Sequence, residues 1–177
     1  AKNTSFSTKA ANVSERIVYK YKDSATEYAA NTGIKFQFDT TSPEIQTIEY
    51  ARESSTVTTA ASSYSTSNWI SLSDTYFGAN YSKFYLKLTI QEDVAMDSTN
   101  PLEISIGGID VALSGNISSS SSIVAGKKIY TYIVGPIDMA SGAYGDGSQV
   151  INVVAKDAAG TKGYKNISIK VDNTPGS

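Results

Sequence analysis

The sequence contains neither cysteine nor histidine. Without cysteine the chain cannot form disulfides or thiolate metal sites, so its stability must come from buried side chains or from cations bound by oxygen. Without histidine it lacks the most common general base and the usual ligand of zinc and copper. These absences exclude the familiar Ser-His-Asp triads, and the sequence carries no nucleophile motif. We therefore predict that the protein is not an enzyme.

Charged residues and long apolar runs are also scarce. Only 18% of the residues are charged and the net charge is −2, so the chain has no basic field that would hold a polyanion. No stretch approaches the roughly 20 consecutive apolar residues that a membrane-spanning helix needs. We expect neither a nucleic-acid partner nor a membrane span.

What the sequence has in abundance is short runs in which apolar and polar residues alternate, separated by clusters of Gly, Ser, Asn and Asp. Such alternation predicts antiparallel strands with one buried face, and hence an all-β protein. The serine-rich run Ser114–Ser122 instead predicts an exposed, flexible hairpin loop. The clearest strand candidates are Arg16–Lys22, Ile34–Phe38, Ile45–Tyr50, Phe84–Ile90, Leu102–Ile106, Ile109–Leu113, Lys128–Val134, Val150–Lys156 and Ile167–Val171.

Two of these strand pairs follow the same design. In each pair the first strand ends in Lys-Asp, at Asp23 and at Asp157, which are 134 residues apart (157 − 23). The second strand ends in an Asp that precedes a Thr and a Pro, at Asp39 and at Asp172, which are 133 residues apart (172 − 39). The shared spacing predicts two successive units that end in equivalent hairpins.

The second of these hairpins carries a family resemblance. The segment DGSQVINVVAKDAAGTKGYKNISIKVDNTP, from Asp146 to Pro175, resembles the last two strands of bacterial immunoglobulin-like repeats. In those repeats a strand ends at Asp-x-Ala-Gly and the final strand runs into Asp-x-Thr-x-Pro. The segment Arg16–Pro43 resembles the same region more weakly. The resemblance implies an immunoglobulin-like antiparallel β-sandwich.

The resemblance also implies a division of the chain. Residues 43–177 form one sandwich with extra strands or long loops, since such a domain usually has about 100 residues. Residues 1–42 supply only two or three strands, which cannot bury a core alone. They are the terminal strands of a preceding repeat or an N-terminal extension that packs on residues 43–177. A third alternative is that they add to the sheet of a neighbouring chain.

The function that this resemblance implies is structural. We expect an extracellular, cell-surface module of a tandem array, of the adhesin or S-layer type, that spaces and presents other domains. Its partners are then neighbouring immunoglobulin-like domains or subunits. Two alternatives stay open: a module that binds a glycan or a host protein, and a filament subunit completed by strand exchange.

A calcium site is one candidate functional feature. In a sandwich of this topology the last hairpin turn lies at the pole where the chain enters, which places Asp157 near the linker that holds Asp39 and Glu44. Carboxylates from a turn and a linker can share a Ca²⁺ ion and stiffen the junction. The alternative is that Asp39 and Asp157 only cap turns. The acidic stretch Gln91–Pro101 lacks the spacing of a calcium loop and predicts a solvated loop.

Aromatic residues form the other candidate site. Trp69, Tyr76 and Tyr81 lie in a region rich in Ser, Asn and Gly. Exposed aromatic rings among small polar residues can stack on sugars or contact a protein, because they offer a large surface at low entropic cost. For Trp69 the alternative is a place in the core, since many sandwiches bury a central tryptophan.

Overall fold

A computed structural model describes residues 13–23, 26–54, 56–73, 75–78, 83–139 and 144–173, and of residues 13–38 it describes the backbone only. The chain divides into two compact units, Ala1–Thr41 and Ser42–Ser177.

The first unit contains an antiparallel strand pair, β1 (Val13–Asp23) and β2 (Thr26–Phe38). The register shifts after Arg16, which marks a bulge or irregularity in the pair. β2 begins eight residues before the predicted start at Ile34, through a stretch of small and polar residues. Pairing with β1, rather than apolar alternation, extends the strand there.

The second unit is a sandwich, and its described residues form ten strands. Its first five are β3 (Glu44–Glu53), β4 (Ile70–Ser71), β5 (Thr75–Gly78), β6 (Lys83–Gln91) and β7 (Leu102–Ile106). The others are β8 (Ile109–Asp110), β9 (Ile117–Val124), β10 (Lys127–Asp138), β11 (Gly147–Lys156) and β12 (Lys162–Asp172).

These strands form two five-stranded sheets, in the orders β4-β3-β6-β10-β9 and β5-β12-β11-β7-β8. All pairings are antiparallel except that of β5 with β12. In the immunoglobulin fold one sheet has the order A-B-E-D, which β3-β6-β10-β9 reproduces, and the other contains G-F-C, which β12-β11-β7 reproduces. The predicted all-β, immunoglobulin-like β-sandwich is confirmed.

The core lies between the two sheets. Its centre is formed by β6 and β11, the middle strands, whose inward side chains are fully buried. Burial of this apolar surface is the main force that holds the sheets together. The inward residues of these two strands are Phe84, Leu86, Leu88 and Ile90 on β6, and Ile151, Val153 and Ala155 on β11.

The long segment between β3 and β6 covers part of the outer face of the first sheet. Tyr85, which alternates with the inward residues of β6, is nevertheless buried. The ring of Tyr64, which follows the 3₁₀ turn Ala61–Ser63, stacks on it at a centroid distance of 3.6 Å. The extra length of this domain therefore forms a second, smaller layer of packing.

The chain enters and leaves the sandwich at opposite ends of β12. At the start of β12, the backbone of Gly163 lies against the carbonyl group of Pro43, directly before β3. Lys165 donates from Nζ to the carbonyl oxygens of Ile45 and Gln46, at 3.0 and 2.7 Å. β12 ends at Asp172, and its 11 residues span about 35 Å.

Candidate metal site

Two acidic side chains close one end of the core. Glu92 follows β6 and lies two residues after the inward-facing Ile90. Asp157 follows β11 and lies two residues after the inward-facing Ala155. Since successive strand residues point to opposite faces, both carboxylates are directed between the sheets. Glu92 is 2% exposed and Asp157 is fully buried.

The two carboxylates are close together. One oxygen of Glu92 and one of Asp157 lie within 4.8 Å of each other. Glu92 Oε1 accepts a hydrogen bond from the backbone N–H of Val94 at 2.8 Å, and Asp157 Oδ1 accepts one from that of Thr161 at 2.7 Å. Asp157 Oδ2 is buried and has no hydrogen-bond partner among the described residues.

This arrangement favours a cation. Two carboxylates at this separation repel each other by an amount on the order of a few kcal/mol where water is largely excluded. Lys156, the neighbour of Asp157 in the chain, forms its ion pair with Asp97 instead, at 2.9 Å. A metal ion between the carboxylates would offset the repulsion and occupy the unbonded oxygen of Asp157.

The backbone holds the two carboxylates in place. The loop after β6 is tied to the turn after β11 by an isolated bridge between Met96 and Asp157 and by a hydrogen bond from Ala158 N to Ala95 O at 2.9 Å. A further bond runs from Asp97 N to Lys156 O at 2.9 Å. The loop and the turn therefore form one connected frame around the site.

Asp97 strengthens this frame electrostatically. Its Oδ1 accepts hydrogen bonds from the backbone N–H groups of Thr99 and Asn100, at 2.8 and 3.0 Å. The bond from Asn100, followed by those from Lys156 and Thr99, holds the pKa of Asp97 well below its usual range. The same partnership raises the pKa of Lys156.

The donor set defines which metal fits. Carboxylate oxygens are hard ligands, and the chain has no Cys or His, so the site suits Ca²⁺ or Mg²⁺ rather than zinc or copper. Ca²⁺ takes six to eight oxygens in flexible geometry, whereas Mg²⁺ demands a tight octahedron. Two carboxylates supply at most four oxygens, so water, carbonyl groups or a further carboxylate must complete the shell.

Of the predicted metal ligands, only Asp157 belongs to this pair. Asp39 lies in the first unit, half-buried, where its Oδ1 accepts a hydrogen bond from the backbone N–H of Thr41 at 3.0 Å. That bond fits the turn-capping alternative, but Asp39 Oδ2 is buried and has no hydrogen-bond partner in the part of the chain that the structure describes. Glu44 is exposed at the first residue of β3 and is not one of the clustered carboxylates. The participation of Asp39 stays a prediction.

Sequence reasoning missed Glu92, which was included in the solvated loop. The signal that identifies it is the alternation of β6: Leu88, Ile90 and Glu92 fall on the same face. A carboxylate in the inward phase directly after a buried strand cannot be solvated unless the chain turns away.

The predicted aromatic site is not a single surface. Tyr76, on β5, is 60% exposed and lies under Lys170, whose Nζ is 5.1 Å from the ring centroid. Trp69 is half-buried beside the first sheet, with its ring edge-on to Tyr64 at 5.8 Å and Lys87 Nζ at 5.1 Å. Tyr81 lies outside the described residues. Trp69 thus lies beside the first sheet, whereas Tyr76 belongs to the second.

Comparisons with known proteins leave the family open. No family model matches the chain, and no curated protein is significantly similar to it. No helix in the described part of the chain is long and apolar enough to cross a bilayer.

Proposed function

We propose that the protein is a non-catalytic structural module of a bacterial cell-surface protein, of the adhesin or S-layer type. It spaces, presents or assembles neighbouring immunoglobulin-like domains outside the cell. The observation that carries this proposal is that the chain enters and leaves the sandwich at opposite ends of β12. It enters beside Pro43 and leaves at Asp172. A sandwich connected in this way can be joined head to tail, so that each module adds its length to the array.

The register of the two hairpins supports a tandem array. In β1–β2, Arg16 pairs with Lys35, and in β11–β12, Val150 pairs with Ser168. These pairs correspond when the chain is shifted by the same 134 and 133 residues as the repeated aspartates. The correspondence ends after Arg16, where β1–β2 changes register. The four pairs at the open end of the hairpin, of the ten in β1–β2, keep the corresponding register.

Calcium is part of the proposal. Glu92 and Asp157 bind one Ca²⁺ ion at the pole where the chain enters, and Asp39 is the sequence-predicted ligand from the linker. The buried, unbonded Asp157 Oδ2 supports this assignment. An affinity in the range of about 10⁻⁴ to 10⁻³ M, typical of extracellular modules, would fill roughly half or more of the sites in 1 mM calcium.

The spacer function is tested by joining two copies of the chain head to tail and measuring their maximum dimension by small-angle X-ray scattering. In millimolar calcium we expect a maximum dimension close to twice that of one copy. Asp157→Asn in the second copy changes the pole next to the junction. It should loosen that junction and so shorten the average maximum dimension. A joined pair that folds back to nearly the dimension of one copy would overturn the proposal.

The second candidate function is binding of a carbohydrate or a protein, and the exposure of Tyr76 favours it. The ring borders a shallow groove with Ser148 and Lys170, whose hydroxyl and ammonium groups can donate hydrogen bonds to a sugar stacked on the ring. A glycan array that gives signals with the wild type but not with Tyr76→Ala would establish this function. Equal signals, or none with either protein, would exclude it.

A further inference from the structure

One strand of the sandwich has a long, open edge. β9 pairs with β10 over all eight of its residues without a register shift, and no described strand pairs with its other side. The remaining edge strands, β4, β5 and β8, have only two or four residues. β9 is therefore the edge of this sandwich that presents the longest row of backbone N–H and C=O groups.

The first two residues of β9 are half-buried, and Ser118 Oγ donates to the carbonyl oxygen of Ala61 at 3.1 Å, but from Ser119 onward the edge lacks the usual protection against strand pairing. Natural proteins block exposed edges with charged residues, proline, bulges or very short strands. The sequence of β9 is ISSSSSIV, which contains none of these devices. Its last two residues, Ile123 and Val124, are 77% and 57% exposed. The edge combines a regular backbone with exposed apolar side chains, as strand-accepting edges do.

A hollow lies beside the edge, on the inner side of the sheet. Ser119 and Ser121 face inward, opposite Tyr132 and Tyr130 of β10. Because serine is small, the space beside the two rings is not filled, and a hollow of about 290 Å³ opens there. The loop residues Met96, Asp97, Ser98 and Pro101 close its far side. A strand added to β9 would direct every second side chain toward this hollow.

The chain itself contains a fitting donor. The first unit, Ala1–Thr41, contains a two-stranded sheet in the described residues. A two-stranded hairpin is marginally stable by itself and gains most by joining a larger sheet. The sequence of β2 alternates Ile34, Phe36 and Phe38 with polar residues, which is the pattern that an open edge beside a hollow requires.

We propose that β9 accepts a strand of the β1–β2 hairpin from a second copy of this chain. The inference rests on the proposed assembly of the module with neighbouring subunits, and it takes the alternative in which residues 1–42 add to the sheet of another chain rather than end a preceding repeat. Hydrogen bonds along β9 hold the added strand, and its apolar side chains fill the hollow beside Tyr130 and Tyr132. Repetition of this pairing from copy to copy generates an open chain of subunits.

The test is the association state of the full chain across a range of concentrations, measured by light scattering after size-exclusion chromatography. We expect dimers and larger species that increase with concentration. Ser121→Lys places a charge on the inward face of the edge and should reduce the apparent association constant at least tenfold. Ser120→Lys, on the opposite face of the same strand, is the matched control and should associate nearly as the wild type does.

The donor is tested in the same way with Phe36→Lys and its neighbour Gln37→Lys, of which only the first should abolish association. Circular dichroism establishes whether each variant is folded. If Ser121→Lys unfolds, it is replaced by Ile123→Lys, which changes an exposed residue on the same side of β9. A wild type that stays monomeric at every concentration overturns the proposal. Association that survives Ser121→Lys, or Ile123→Lys where that variant replaces it, overturns the proposal as well. The scattering test of the spacer function is made at a concentration at which light scattering shows the joined pair to be monomeric, so the two tests can fail separately.

Discussion

The carboxylates of Glu92 and Asp157 approach within 4.8 Å of each other, although they come from opposite sheets of the sandwich. Each carboxylate directly follows the middle strand of its sheet and points between the sheets. The two charges therefore lie at one end of the core. A buried pair of like charges is costly unless a counter-charge is present. The pair is therefore a candidate cation site at this pole.

The carboxylate pair predicts that neutralisation stabilises the fold more in the absence of calcium than in its presence. In a metal chelator, Asp157→Asn should raise the free energy of unfolding by between about 1 and 4 kcal/mol, because it removes the like-charge repulsion and keeps an oxygen for the Thr161 N–H group. In 1 mM calcium the wild type should regain about 0.4 to 1.4 kcal/mol of this difference, which is the stabilisation that a dissociation constant of about 10⁻³ to 10⁻⁴ M supplies at that concentration. Urea unfolding in both conditions checks the prediction, and a variant less stable than the wild type in chelator would contradict it.

The close approach of Gly163 to the linker predicts a sensitive position. A β-carbon on Gly163 would overlap the carbonyl oxygen of Pro43, so Gly163→Ala must displace the chain where it enters β3. We expect a loss of about 1–3 kcal/mol in the free energy of unfolding, as for other overpacked sites. Gly145→Ala, where the added carbon would meet only the side chain of Gln149 at 3.7 Å, is the control. Equal effects in thermal unfolding would refute the close approach.

Asp97 predicts a dependence on pH. Its pKa is lower in the folded protein than the ordinary value of 3.8, so it stabilises the fold above that value and loses this contribution as the pH falls below it. The wild type should therefore be more stable than Asp97→Asn near neutral pH, and the difference should shrink below about pH 4. Urea unfolding at several pH values checks this. A difference that stays constant down to pH 2 would show that the hydrogen bonds from Asn100, Lys156 and Thr99 do not lower the pKa of Asp97 in the folded protein.

The two aromatic candidates should respond differently to truncation. Trp69 packs edge-on against Tyr64, so Trp69→Ala should cost about 1–3 kcal/mol. Tyr76 is largely exposed, so Tyr76→Ala should change the free energy of unfolding by no more than about 0.5 kcal/mol. Thermal unfolding of both variants checks the ranking, and a larger loss for Tyr76→Ala would mean that the groove beside it is structural.

The strands that face the core on one side were predictable from sequence. The predicted Leu102–Ile106 matches β7 residue for residue, and the predicted Phe84–Ile90 lies within β6. The loop predicted for Ser114–Ser122 was wrong, because most of it belongs to β9. A row of serines carries no alternation, and this strand exists because β10 pairs with it. The predicted Ile109–Leu113 is a strand only over its first two residues.

The candidate site could be predicted in part. Asp157 was predicted from its turn sequence. Glu92 was not, although the alternation of the strand before it contains the signal that predicts its inward direction. Their proximity was not predictable, because it depends on which strands face each other across the core. Exposed Glu44 shows the limit of reasoning from linker position alone, since closeness in sequence to the entry point does not direct a side chain inward.

The central claim, that the pole closed by Glu92 and Asp157 binds calcium, is tested most directly by isothermal titration of the full chain with Ca²⁺. The wild type should bind one ion with a dissociation constant of about 10⁻⁴ to 10⁻³ M. Glu92→Gln and Asp157→Asn should abolish this binding, and Glu103→Gln, which alters an exposed carboxylate paired with Lys162, should leave it unchanged. Absence of calcium binding by the wild type, or binding that survives both substitutions, would contradict the account.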